Sequence, residues 1–446
     1  MAKQSSKNAE TSFIERLDII SNKGNQRVSI LDGIIRLMYY ESILEDSVKA
    51  SIVFVDSGNA VDGKTVLEGL PIVGQEKVYL KFTDNNEVSI GKKPELILYV
   101  NKVTPISDDT TKSMVRIDLV SKEYILNEKI RINNRFDGKI SNHITKILTD
   151  SNFLGTEKKL DIEETSNNFN FIGNNKKPFY VLNWLSKKSV SSQNQKLGDS
   201  AGYFFYETSD GFKFKSIDGL LSQEKKKSIL YNQTPDSRGD KIPPGYDAKA
   251  LEFNKDNRID VQEKLKMGAF STRTILFDPF SCYYEVITPN AREVESSLKL
   301  AGKELPVLND EFNQSNFNKD FSRTTYCLLD KGTIPQGNTK QQIEKSKEEN
   351  FEYGQILNQS IMRYNQLFSS KITITISGDF SLKCGDAIFV DGPELSAETK
   401  DVDKRSGGLY IIADLCHYIS TKETYTKLNL VRDSFGRVGN HTNRNS

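Results

Sequence analysis

The sequence predicts a mainly β protein with α+β parts: two antiparallel β-barrel domains, a mixed α+β domain between them, and an irregular, helical insert in the second barrel. Three observations predict it. Apolar residues alternate at period two near both ends of the chain, helical spacing is confined to short blocks between them, and one strand pattern near the N-terminus recurs near the C-terminus.

With 446 residues the chain is long enough for several domains, each with a core of ordinary size. Lys and Arg total 61 against 60 Asp and Glu, a net charge of +1, so no basic excess marks a grip on nucleic acid or anionic lipid. The cysteines Cys282, Cys327, Cys384 and Cys416 are far apart and form no Cys-x-x-Cys pair, which fits neither a disulfide framework nor a zinc cluster. The longest apolar runs, such as Leu96–Val100 and Leu409–Ala413, are strand-sized, and no membrane insertion is expected.

Residues 1–12 read as a polar tail. The first barrel, 13–121, is expected from strands at Ala50–Val55, Val78–Phe82, Leu96–Val103 and Met114–Val120. The mixed α+β domain, 122–242, opens with a helix capped by Asp137 that sets Ile140, Ile144, Ile147 and Leu148 on one face. Pro178 then starts a short helix to Ser186 that carries the single tryptophan, Trp184. Tyr203–Tyr206 and Phe212–Ile217 flank an Asp-Gly turn and read as a hairpin. Residues 243–287 and 369–433 are assigned to the second barrel, with strands at Lys371–Ser377, Ala387–Val390, Leu409–Leu415 and Thr426–Val431. The insert, 288–368, ends in a helix from Gln341 to Phe368 whose stripe of Tyr353, Leu357, Ile361, Tyr364 and Phe368 should pack on the barrel. Residues 434–446 read as a disordered tail.

The recurring pattern joins Leu98-Tyr99 to Leu119-Val120 in the first barrel and Leu409-Tyr410 to Leu430-Val431 in the second, the final valine 22 positions after the first leucine each time. These eight residues are taken as barrel-strand positions of a hairpin used twice.

The strongest apparent enzyme signal is Gly58, Gly63, Lys64 and Thr65, a full match to the G-x-x-x-x-G-K-[ST] phosphate loop. Gly69 and Pro71 stop any helix there after about one turn, and a phosphate loop needs a helix N-terminus aimed at the anion, so a structural loop is expected. Arg238-Gly239-Asp240 reads as a turn. Cys416 and His417 alternate across a strand and would face opposite sides, which leaves His417 a structural role and no metal site. No cofactor and no catalytic residue is expected.

Several segments carry a family resemblance. Tyr39 to Ser47, the strand end Phe54–Asn59 and the run Leu70-Pro71-Ile72-Val73-Gly74-Gln75-Glu76 resemble the first tube-like domain of baseplate central hub proteins from large contractile-tailed phages. Thr375–Val390 is similar to that family's second barrel, and Tyr410 with His417 to its next strand. The resemblance covers about half of the chain and implies a structural, non-enzymatic protein of the virion's tail baseplate. It implies a homotrimer whose tail-tube-like barrels form a pseudo-sixfold ring, a symmetry adaptor between the sixfold tail tube protein and a threefold central spike or needle protein. Baseplate wedge or tape-measure proteins would be further partners, and DNA would pass through during ejection without specific binding. Two alternatives stand beside it: a nucleotide-binding enzyme using Gly58–Thr65, and a tail-tip adhesin presenting the aromatics Tyr203–Tyr206 to a host glycan.

Overall fold

The computed structural model describes residues 12–23, 26–59, 61–109, 111–192, 201–231, 242–256, 260–279, 282–288, 298–312, 323–328, 338–340, 353–393 and 403–438. The Arg238–Asp240 turn and residues 341–352 of the expected helix lie outside them.

The first barrel is built from β1 (Phe13–Ile20), β2 (Arg27–Ser29), β3 (Ile34–Ser42), β4 (Lys49–Asp56), β5 (Lys77–Thr83), β6 (Ser89–Ile90), β7 (Leu96–Asp108) and β8 (Ser113–Val120). A four-residue helix, α1 (Val66–Gly69), lies in the β4–β5 connection. The main path runs β2-β1-β5-β7-β8-β4-β3, with every pairing antiparallel. Strand alternation sends Leu37, Tyr39, Ile52, Phe54, Val115, Ile117 and Leu119 into one core.

The mixed unit follows: α2 (Lys122–Lys129), β9 (Arg135–Phe136), α3 (Ile140–Thr149), β10 (Leu160–Ile162), β11 (Phe171–Ile172), α4 (Pro178–Ser186), β12 (Tyr203–Thr208), β13 (Gly211–Ser216) and α5 (Ile217–Leu221). The small sheet β10-β13-β12 packs with α3 and α4 around Ile144, Ile147, Phe179, Leu182, Phe205 and Phe214. The helix α3 starts two residues later than a cap at Asp137 implies, with Lys139 at the cap position. Asp137 is held by Arg135 at 2.8 Å, and Thr165 instead supplies the acceptor for the amide of Ser141.

The rest comprises β14 (Lys227–Leu230), β15 (Ala248–Asp256), α6 (Val261–Met267), β16 (Thr272–Asp278), β17 (Tyr283–Ile287), β18 (Arg323–Leu328), α7 (Tyr353–Leu367), β19 (Ser370–Ser377), β20 (Ala387–Asp391), β21 (Gly408–Ser420) and β22 (Thr424–Arg432). The strands β14, β15, β19, β22, β21 and β20 close on themselves, because β14 pairs with both β15 and β20. Their inward residues, including Ile229, Ile374, Ile388, Tyr410, Ile412 and Leu430, form a second core.

This pairing moves two expected boundaries. β14 falls within 122–242 in the sequence reading yet belongs to the second barrel, joined by parallel pairing to a strand more than 150 residues away. β16 and β17 fall within 243–287 yet leave the barrel and make a separate sheet, β17-β16-β18, with the insert. The helix α6 was also missed, although its ends are chemically marked. The side chain of Asp260 accepts from the amide of Glu263, and Gly268 ends the helix at φ 81°. On α7 the sequence stripe is only partly the packed face. Ile361, Tyr364 and Phe368 are half-buried, whereas Ile356, Met362, Arg363 and Leu367 are buried. The side chains of Tyr353 and Leu357 lie outside the described residues. The last segment is not a free tail as far as it is described, since the carbonyl of Phe435 accepts from Lys303 and Arg437 pairs with Asp391.

The two barrels repeat one another in register. β3–β4 and β15–β19 each carry a bulge at the same point: Ile34↔Phe54 and Arg36↔Val53 in one, Ala250↔Ile376 and Glu252↔Thr375 in the other. β7–β8 steps from Val100↔Leu119 to Lys102↔Asp118, and β21–β22 from Ile412↔Leu430 to Asp414↔Asn429. Gln75 and Gly385, both at positive φ, donate to the carbonyls of Val100 and Ile412, respectively. This register corrects the sequence alignment by one residue. Val78 pairs with Leu98 where Ile388 pairs with Tyr410, so Leu98 matches Tyr410 and not Leu409. Leu98 and Tyr410 are both fully buried inward residues, while Tyr99 and Leu409 are half-buried on the other face. A period-two strand tolerates no one-residue slip without exchanging its faces.

Candidate functional site

β21 changes partner along one edge. Its first half pairs with β20, and from Asp414 to Ser420 the same edge pairs with β3 of the first barrel, Asp414↔Ser42 through Ser420↔Arg36. The two barrels therefore share a continuous sheet.

Buried carboxylates lock this joint to the mixed unit. Glu41, at an inward position in line with Leu37 and Tyr39, accepts from the amides of Ser209 at 2.7 Å and Cys384 at 3.0 Å and from the Tyr39 hydroxyl at 3.1 Å. One carboxylate thus ties the first barrel, the β12–β13 turn and the second barrel. Burial raises its pKa above the ordinary carboxylate range. Asp84 accepts from the amide of Phe380 at 2.8 Å, again across the barrels. Glu207 accepts from the amide of Val48 at 3.1 Å and from Lys158, which also binds Glu123 at 2.6 Å. At the rim, Asn183 of α4 donates to Asp46 at 2.5 Å. Burial pushes the Asp46 carboxyl up to about 6. A folded-state pKa above the unfolded value stabilises at low pH and loses that contribution as pH rises through 6. Asp46→Asn is accordingly expected to raise the melting temperature at pH 7.5, by the equivalent of about 1 kcal/mol, with the gain absent at pH 4 when thermal unfolding is compared at both.

The sheet face opposite both cores runs unbroken across β7, β8, β4, β3, β21, β22, β19 and β15. It carries mixed charge around a band of Met38, Tyr40, Tyr418 and Tyr425. Arg116 meets Asp118 at 2.8 Å, Asp414 accepts from Ser42 and Asn429, and Thr373 bonds Asn429.

The phosphate-loop match folds into a turn closed by its own acid. Val61 and Lys64 bridge, Gly58 and Gly63 take positive φ, and Thr65 caps the four-residue α1 by accepting from Glu68. Asp56 accepts from the amides of Gly58 at 3.0 Å and Val66 at 2.5 Å, and the Lys64 amide donates to the Val61 carbonyl, so the loop spends these amides on its own turn and not on an anion. The adhesin alternative is corrected by burial: Tyr203, Phe204, Phe205 and Tyr206 lie between 1% and 6% exposed. Tyr203 and Phe205 pack into the mixed unit and Phe204 and Tyr206 against the second barrel, so none of these four presents its ring to a glycan. His417 is fully buried, stacked on Tyr39 and bonded to Thr426 at 3.0 Å, and burial lowers its pKa to about 3. Of the barrel-strand residues, Leu98 and Leu119 lie in the first core, Tyr410 and Leu430 in the second, and Tyr99, Val120, Leu409 and Val431 on the other face of their strands. Sequence reasoning missed Glu41, Asp84 and Glu207; for Glu41 the readable sign was an acid at an inward position of an alternating strand.

Comparison with known proteins fits this architecture. No protein-family model matches the chain. It is 24% identical over 305 residues to the probable baseplate hub protein gp334 of Vibrio phage KVP40, covering 66% of each chain, and so spans just under two thirds of that relative's length. The chain is thus similar to a phage baseplate hub protein. Two solved tail proteins share the fold of this chain over nearly its whole length. The 43 kDa tail protein of prophage MuSo2 from Shewanella oneidensis matches with a TM-score of 0.51 and 11% identity, over 94% of this chain and 98% of its own. The tail protein from Neisseria meningitidis MC58 matches with a TM-score of 0.51 and 9% identity, over 94% and 96%.

Proposed function

We propose that this chain is the trimeric symmetry adaptor of a contractile phage tail, joining a sixfold tail tube above to a threefold spike or needle protein below. The observation that carries this reading is the in-register repeat of the barrels: a chain with two equivalent barrels turns a threefold assembly into a ring of six similar positions. The role is structural and not enzymatic. The Asp56 carboxylate at the phosphate-loop amides speaks against nucleotide binding, and Lys64→Ala is expected to leave the chain's behaviour unchanged.

The mixed-charge sheet face supports the channel part of the proposal, because cations neutralised by neighbouring acids make few phosphate contacts and let DNA slide. The insert sheet and α7 lie off the ring and are the parts available to wedge or tape-measure proteins. Light scattering on the purified chain tests the reading. A mass near three times 50.5 kDa with ring-shaped particles in negative stain is expected. A monomer at all concentrations, alone and with its spike protein, would overturn it.

A further inference from the structure

The insert sheet β17-β16-β18 has two unlike faces. α7 lies against β16 and β17, and Thr272, Thr274 and Leu276, which point to the covered face, are at most 5% exposed. The register brings the alternate residues of the three strands together on the other face. Ile275 lies between Val286 and Tyr326, and Phe277 between Tyr284 and Leu328. Four of these six are openly exposed, Phe277 at 40%, Tyr284 at 63%, Leu328 at 66% and Tyr326 at 77%. Nine of the 18 exposed large apolar side chains among the described residues fall between Val261 and Leu328, so apolar surface is concentrated around this sheet. Single exposed apolar residues are ordinary, whereas a contiguous patch marks a place where something binds.

We propose that this face seats one amphipathic α-helix of a partner protein, laid on the sheet opposite α7. Size selects a helix over a second copy of the chain. Three strands about 4.8 Å apart make a strip about 10–14 Å wide and, over the seven residues of β16, about 23 Å long, which a single helix of about 15 residues covers. Such a patch offers a few hundred Å², short of the roughly 800 Å² per partner that a stable pair of globular chains buries. Charge selects the flank of the helix. Arg273 stands on the same face, Arg323 at the same end of the sheet, and no acid among the described residues points to this side. Arg323 bonds the neutral carbonyl of Met267 at 2.9 Å and so keeps its charge. The fitting helix has apolar residues at helical spacing and Asp or Glu beside them at that end. The seat rests on the sheet alone; that its occupant belongs to another tail protein rests on the hub reading above.

The test is a full-length Tyr326→benzoylphenylalanine variant, irradiated both free and in purified tails, with the captured peptide sequenced. The expected capture, in tails only, is one segment of another tail protein with apolar residues at i, i+3, i+4 and i+7 and acids on its flank. Capture of this same chain, of a segment with alternating pattern, or of nothing would each overturn the proposal and leave the hub reading standing. Absence of the chain from purified tails would overturn both. Tyr326→Lys with Leu328→Lys is the companion variant. Because both residues are exposed, the free chain should melt within about 2 °C of wild type. Purified tails carrying it should retain about tenfold less of the captured protein, since buried aromatic and aliphatic anchors dominate such contacts. Undiminished retention would overturn the helix seat.

Discussion

Glu41→Ala is expected to destabilise the chain by about 3 kcal/mol, seen as a lower urea midpoint and as early proteolysis between the barrels. The carboxylate serves two amides, on Ser209 and Cys384, and the Tyr39 hydroxyl, all at a residue only 2% exposed. Hydrogen bonds to a charged acceptor contribute about 1.5–3 kcal/mol each, and orphaned buried donors keep their full desolvation cost. Against this stands the burial of the carboxylate itself, which already raises its pKa, so the net loss is smaller than the sum of three bonds. Glu41→Gln keeps one acceptor oxygen and should recover part of the loss at pH 7. Equal effects from alanine and glutamine would show that the three-way node contributes little.

Arg363→Ala should have the larger effect, about 3–5 kcal/mol, concentrated in α7. Its guanidinium is 1% exposed and meets Asp433 and Asp218 at 2.8 Å each, with the Lys299 carbonyl at 2.9 Å. Removing it leaves two carboxylates facing each other in a dry site, one of them, Asp433, with no exposure at all. Arg363→Lys is no rescue, because an ammonium cannot span both acids as the planar fork does. Hydrogen exchange should show lost protection in α7 and in the strand end at Arg432, with the first barrel unchanged. Uniform loss across both barrels would instead mean that the insert is integral to the whole fold.

How far the sequence carries depends on which force decides each element. Barrel strands were legible because one face of each is buried, and alternation such as Val115, Ile117, Leu119 records that directly. The repeat was legible too, but matching by residue name set Leu98 against Leu409, whereas the pleat sets it against Tyr410. β14 was assigned to the wrong unit because its parallel neighbours β20 and β15 are distant and leave no local mark. The Glu41 and Arg363 sites were out of reach for a related reason: each draws partners from segments far apart in the chain. Asp56 is the opposite case. Gly69 and Pro71 already denied the phosphate loop its helix, and the structure adds the acid that fills the vacated role.

Pro105 gives a further property to the half of β7 beyond Val100, which pairs with β8 alone among the described residues. It has no N–H to donate, and the strand is bulged again between Pro105 and Ser107, so any single strand arriving there meets an interrupted row of bonds. One such contact between two chains would be short-lived. In the proposed ring the last chain to arrive would make two contacts at once, the second of them intramolecular and so at a raised effective concentration. On the trimer proposed above, the proline would thereby favour complete rings over open pairs.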